Sequence, residues 1–212
     1  TPTLSGTYSD ANGVASVTVS IDGGAQQVAT LNAGSWSFTS AALTEGTHTV
    51  VVTATDNAGN VTSTTSSNII IDLINPTVNY TPIALTNDST PSLTGSYSDA
   101  NGVASVTVSI DGGAQQAATL NAGSWSFTSA ALTNGTHTVV VTATDNAGNV
   151  TSTTSSNIII DLTNPVVNYT PIALTNDSTP TLSGTYSDAN GVASVTVSID
   201  GGAQQAATLT AG

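Results

Sequence analysis

Twelve aspartates, one glutamate and two histidines are the groups of this 212-residue chain that could do acid–base or metal chemistry. There is no Lys, Arg or Cys, so thiolates and ammonium groups take no part. What the sequence offers is hard carboxylate oxygen, and the spacing repeats. Asp72 and Asp161 stand in I-I-I-D-L-I-N-P and I-I-I-D-L-T-N-P, each where an apolar strand runs out before a proline. Asp10, Asp99 and Asp188 open S-D-A-N-G turns, and Asp56 and Asp145 open D-N-A-G-N turns. Oxygen donors without nearby His or Cys select Ca²⁺ over Zn²⁺ or Cu²⁺, and Mg²⁺ demands a tighter octahedron and holds its waters.

The elements that would position these groups follow from the repeat. T-P-T-L-S-G-T-Y-S-D-A-N-G begins at Thr1 and returns with Ser/Thr exchanges at Thr90 and Thr179, a period of 89 residues. The first two copies differ at seven positions: 3/92, 5/94, 7/96, 28/117, 45/134, 74/163 and 77/166. The period is too long for a solenoid unit and suits a small β-sandwich. Alternation supports strands: Val17, Val19 and Ile21 share one face of A-S-V-T-V-S-I-D, and Trp36 and Phe38 share one of S-W-S-F-T.

In the complete unit, residues 77–165, strands are expected at 78–85, 91–98, 104–110, 115–120, 124–130, 136–144 and 150–160, with Asn-, Gly- and Pro-bearing turns between them. The expected fold is all-β: tandem immunoglobulin-like sandwiches of about seven antiparallel strands. Residues 1–76 form a first repeat without its first strand, and 166–212 a partial third with the first four. The chain starts and stops inside repeats, which reads as a window on something longer.

In such a sandwich, the loops after the second and sixth strands lie at the end where the chain comes in. Asp99 and Asp145 then meet Asp72 of the preceding linker. Asp161 and Asp188 are arranged likewise at the next joint, whose third partner lies beyond the window, and Asp10 and Asp56 form the same loop pair in the first repeat, whose preceding linker is missing. Two carboxylates about 5 Å apart repel by roughly 3 kcal/mol at an effective dielectric of 20. No Arg or Lys relieves this, and protonation near neutral pH is not expected for partly exposed Asp. The joint must splay into water or bind a cation, and Ca²⁺ fits.

Asp88 and Asp177 in N-D-S-T-P and Asp111 in I-D-G-G are weaker metal candidates, since Asp at such positions is an ordinary turn residue; Asp22 and Asp200 share the turn reading. His48 and His137 fall on an inward strand face and read as buried and hydrogen-bonded. Trp36 and Trp125 read as core. Tyr80 and Tyr169, just past the linker prolines, are expected to pack the joint.

A net charge of −13 opposes binding to nucleic acid or anionic membranes. No apolar stretch reaches the ~20 residues that span a bilayer. One core His per repeat supplies no nucleophile–base pairing, so catalysis is not expected.

With T-A-T-D-N-A-G-N-V-T-S followed by I-I-I-D-L-T-N-P, the chain resembles the bacterial immunoglobulin-like extender repeats of giant, calcium-dependent RTX adhesins exported by type I secretion. The resemblance covers essentially the whole sequence. It implies an extracellular, cell-surface stalk, stiffened by Ca²⁺ at its joints, that projects a distant binding region for adhesion or biofilm formation. The family's joint ligands would map to Asp72, Asp161, Asp99, Asp188 and Asp145. The expected partners are neighbouring repeats of the same chain, with a host-cell, glycan or surface target met by regions outside this window. The alternative is that the repeats themselves bind glycans or other cells.

Overall fold

The computed structural model describes residues 1–65, 68–154 and 157–210, and every regular element among them is a β-strand. The protein is all-β among the described residues. Two compact units form. One comprises Thr1–Thr77 with Ser98–Ser105 and Ala143–Thr151; the other comprises Val78–Tyr97, Val106–Thr142 and Ser152–Gly212. Two loops of the second sequence repeat, carrying Asp99 and Asp145, thus belong to the same unit as Asp72.

Each repeat is built from sheets whose inner faces carry the alternating apolar residues. In the first repeat, Val14–Ile21 pairs with Val50–Asp56, which pairs with Val61–Thr65. Facing it, Thr3–Thr7 pairs with Ser35–Thr39, so that Leu4 lies opposite Phe38 and Gly6 opposite Trp36. Val17, Val19, Ala29, Trp36, Phe38 and Val50 form the core between them. β-Branched residues suit this geometry because their stiff side chains pack well on a pleated face. The D-G-G turns place Asp22 and Gly23 at φ 53° and 71°, and the pair Asp111–Gly112 is alike. Two successive left-handed residues match the twist of the hairpin strands they join.

The second repeat departs from the expected strands in an instructive way. Four of the seven divide between sheets rather than running through. The first becomes Thr77–Val78, on the sheet of Ser92–Ser98, and Leu85–Thr86, parallel to Ile158–Ile160. Pro82 lies between the two pieces, and a residue without an N–H cannot continue a ladder. The stretch expected at 136–144 likewise splits into Gly135–His137 and Val139–Asp145. That at 150–160 splits into Val150–Thr154 and Ile158–Ile160, and 115–120 into Gln116–Ala117 and Thr119–Asn121. Alternation reports which residues face inward; it does not report which sheet they face from.

This crossing strand closes the second core. Tyr80 stacks on Trp125 with ring centroids 6.2 Å apart, and Trp125 Nε1 donates to Asn79 O at 2.9 Å. Tyr80 therefore packs into its own sandwich rather than the joint. The third repeat keeps short pairs only, Val166–Tyr169 with Gly184–Ser187 and Thr196–Val197 with Gln205–Ala206. Tyr169 is exposed there.

Candidate metal centre

Asp145 stands at the last residue of Val139–Asp145 and is 2% exposed. Its Oδ1 accepts the backbone N–H groups of Ala147, Gly148 and Asn149 at 2.9, 2.7 and 2.8 Å. The D-N-A-G-N turn thus folds around its own first carboxylate. Asn149 Nδ2 donates to Asp145 Oδ2 at 2.8 Å and to the linker carbonyls of Asp72 and Ile74 at 3.0 and 3.3 Å. Burial alone raises the Asp145 pKa, but the Asn149 side chain and the turn amides outweigh it, and the carboxyl lies below its ordinary value of 3.8. Asp145 is therefore a carboxylate at neutral pH.

Asp72 and Asp99 complete the centre, both half-buried. Asp99 Oδ1 caps Asn101 N at 2.7 Å, and Asp72 Oδ1 accepts Ile74 N at 3.2 Å. Asp72 Oδ2 is buried and has no hydrogen-bond partner among the described residues. One oxygen from each of the three aspartates lies within 4.8 Å of the others, the one such group of three or more among the described residues. Two oxygens on opposite sides of one Ca²⁺, each at about 2.4 Å, are separated by about 4.8 Å. The donor set fits that ion, and a buried carboxylate oxygen with no partner is a group that a nearby cation would satisfy electrostatically.

The other sequence candidates are not in such a group. Asp10 and Asp56 occupy the matching loops of the first repeat, where Asp10 is exposed and caps Asn12 N. Asp56 lies below its ordinary pKa because the side chain and then the backbone of Asn60 donate to it. Asp161 and Asp188 are half-buried, accepting Thr163 N at 3.1 Å and Asn190 N at 2.8 Å. Asp88 and Asp177 each cap a threonine two residues on, Thr90 and Thr179. Asp111 is committed to His137 Nδ1 at 2.6 Å and to Thr138 N at 2.8 Å.

A family model for the bacterial Ig-like domain matches residues 1–73 and again 84–162. The chain belongs to the bacterial Ig-like domain family. No curated protein matches it. Among the solved structures similar to these bacterial Ig-like domains are the following three. One holds fibronectin(III)-like modules of Clostridium thermocellum CbhA, at 20% identity and TM-score 0.43, covering 74% of this chain and 84% of that one. Another is a tetra-tandem repeat in the extending region of a large adhesion protein, at 29% identity and TM-score 0.37, covering 99% of this chain and 59% of that one. The third concerns host cell surface retention of a 1.5-MDa bacterial ice-binding adhesin, at 24% identity and TM-score 0.45, covering 78% of this chain and 60% of that one.

The residue that sequence reasoning overlooked in these bacterial Ig-like domains is Asn149. It ties the linker to the turn while the aspartates face one another. Its signal was present as the last letter of D-N-A-G-N, and Asn60 holds Asp56 in the same way at 2.7 Å.

Proposed function

We propose that these repeats are the extender of a large bacterial surface adhesin, and that Ca²⁺ held by Asp72, Asp99 and Asp145 stiffens the joint between successive repeats. The observation that carries the reading is the convergence of three carboxylates, one with a buried unpartnered oxygen, in a chain without Lys or Arg. Asp72 belongs to the linker, and Asp99 and Asp145 to loops of the following repeat. An ion bound by all three ties linker to loops and removes bending freedom, whereas their mutual repulsion opens the joint without it. Asp161 and Asp188 would serve the next joint in the same way.

The activity is mechanical rather than catalytic, in keeping with a family of Ig-like domains and with His side chains committed to structural hydrogen bonds. The location is the cell exterior, where Ca²⁺ is abundant enough for modules with dissociation constants of ~10⁻⁴–10⁻³ M. RTX-type export and a role in biofilms belong to the same proposal, as does a distal region that meets the target.

Calorimetric titration of the chain with Ca²⁺ tests this, with Asp72→Asn as the comparison. Asp72 makes few other bonds, so the variant removes charge without dismantling the turn. Saturable binding that the variant abolishes, together with larger small-angle scattering dimensions in Ca²⁺ than in chelator, is expected. Equal heats from both proteins, or unchanged dimensions, would sink the proposal.

A further inference from the structure

Seven positions separate the first two repeats, and two of them, 45/134 and 74/163, meet at the linkers. In the first repeat, Leu73 N donates to Glu45 Oε2 at 2.6 Å. In the second, Leu162 N donates to Asn134 Oδ1 at 2.7 Å, and the Thr163 hydroxyl donates to the same oxygen at 3.5 Å. Ile74 stands where Thr163 does and has no hydroxyl to give. The tether is kept at both linkers, but its charge is not.

Strand register explains why this residue reaches the linker. Gly46–His48 pairs antiparallel with Ile69–Ile71, with Gly46 opposite Ile71, so Glu45 and Asp72 are the next residues out on the two strands. Gly135 opposite Ile160 puts Asn134 and Asp161 in the same relation. Like charges facing each other across a ladder destabilise it. Glu45 does not itself join Asp72, Asp99 and Asp145 in their group. It acts on the backbone next to Asp72, from a loop of the first repeat. Asn149 Nδ2, from a loop of the second, holds the carbonyls of Asp72 and Ile74. Three successive linker residues are thus bound through their main chain by two side chains, which limits where the Asp72 carboxylate can point.

We propose that Glu45 is a positioning residue for the Ca²⁺ centre. It fixes the linker at Leu73 so that Asp72 meets Asp99 and Asp145, and its charge makes this joint depend on the ion more than a neutral tether does. The inference rests on the reading of those aspartates as an ion site. A divalent cation on Asp72 reverses the effect of the Glu45 charge. Without the ion, that carboxylate adds to the repulsion across the ladder; with it, the same carboxylate attracts the ion through space. Asn134 supplies the tether alone.

Ca²⁺ titration and amide exchange of the full chain, with Glu45→Gln and Glu45→Ala, separate the two roles. Gln keeps an acceptor oxygen and removes the charge, whereas Ala removes both. In chelator, the Leu73 amide should exchange about tenfold faster in Glu45→Ala than in the parent chain, as loss of a charged acceptor predicts. Leu162, held by Asn134, is the internal reference and should not change. At low salt, the Ca²⁺ dissociation constant should rise about threefold in Glu45→Gln and about tenfold in Glu45→Ala. High salt should close the first gap and leave the second, because only the through-space part is screened. Leu73 exchange indifferent to Glu45→Ala, or a Glu45→Gln affinity equal to the parent's at low salt, would overturn this inference and leave the ion site standing. A parent chain that takes up no Ca²⁺ would overturn the ion site, and this inference with it.

Discussion

His48 and His137 are the two cationic side chains this protein can form, and each is held between two acceptors. His137 Nδ1 meets Asp111 Oδ2 at 2.6 Å, and its Nε2 meets Thr133 O at 3.0 Å. A carboxylate and a carbonyl both only accept, so both ring nitrogens are best satisfied carrying hydrogen, which is the imidazolium. The hydrogen bond to Asp111, then that to Thr133, raises the His137 pKa above its ordinary 6.5; His48 is raised by Asp22 and then Thr44. The partners move the other way, with Asp111 and Asp22 lowered from 3.8 chiefly by their histidines. A raised histidine stabilises fully below 6.5 and loses that contribution as pH rises through the folded-state value. A lowered aspartate contributes above 3.8 and loses it as pH falls through its own folded-state value. The pairs are thus fully formed between about pH 4 and 6.5. Thermal unfolding midpoints should fall by a few degrees from pH 6.5 toward 9, and a His48→Gln, His137→Gln double variant should flatten that limb. An unchanged slope would remove the pairs from the account. The buried, hydrogen-bonded histidine was legible from the inward face of T-H-T-V-V-V. Its Asp partner was not, because D-G-G is a sufficient turn signal by itself and 26 residues separate the two.

At the scale of elements, the crossing strand closes the second sandwich over Gly95 and Trp125. A Cβ at Gly95 would run into the Asn79 carbonyl as well as Trp125 Nε1 at 2.7 Å, whereas the nearest atoms to a Cβ at Gly6 belong to the Trp36 ring, at 2.8 Å and beyond. Gly95→Ala must displace backbone, and overpacking of that kind costs about 1–3 kcal/mol. Gly6→Ala can be relieved by a shift of one ring. Urea unfolding of the two variants should therefore show the larger loss for Gly95→Ala, and equal losses would mean that the strand does not bear on the indole as described. The sequence announced the strand's residues through V-N-Y-T-P-I-A-L-T but not its change of sheet. Period-two alternation fixes inside from outside, while a switch between two inward-facing sheets leaves the pattern intact. Convergence of Asp72, Asp99 and Asp145 was legible for a different reason. Chain order in a seven-strand sandwich dictates which loops share an end, whatever the strands do in between.

Over the whole molecule, net charge and local charge make separable demands. Thirteen acidic side chains with no Lys or Arg repel one another over the entire surface, and dissolved salt screens that field within about 8 Å at 0.15 M. Any monovalent salt supplies this relief. The proposed Ca²⁺ site would ask for more, because mobile Na⁺ does not take the place of an ion coordinated by several oxygens at once. NaCl should raise the unfolding midpoint of the chain and of Asp72→Asn alike. At constant ionic strength, millimolar Ca²⁺ should raise it further in the parent chain only, and Mg²⁺ at the same concentration should not. One ion present at about ten times its dissociation constant stabilises the state it binds by about 1.4 kcal/mol, enough to read as a shift of a few degrees in a domain of this size. Equal shifts with Ca²⁺ and with ionic-strength-matched NaCl would reduce the three aspartates to part of the general acidic surface. A shift that survives in Asp72→Asn would place the bound ion elsewhere. The Ca²⁺-specific increment in the parent chain, set against its loss in that single variant, isolates the local demand from the global one.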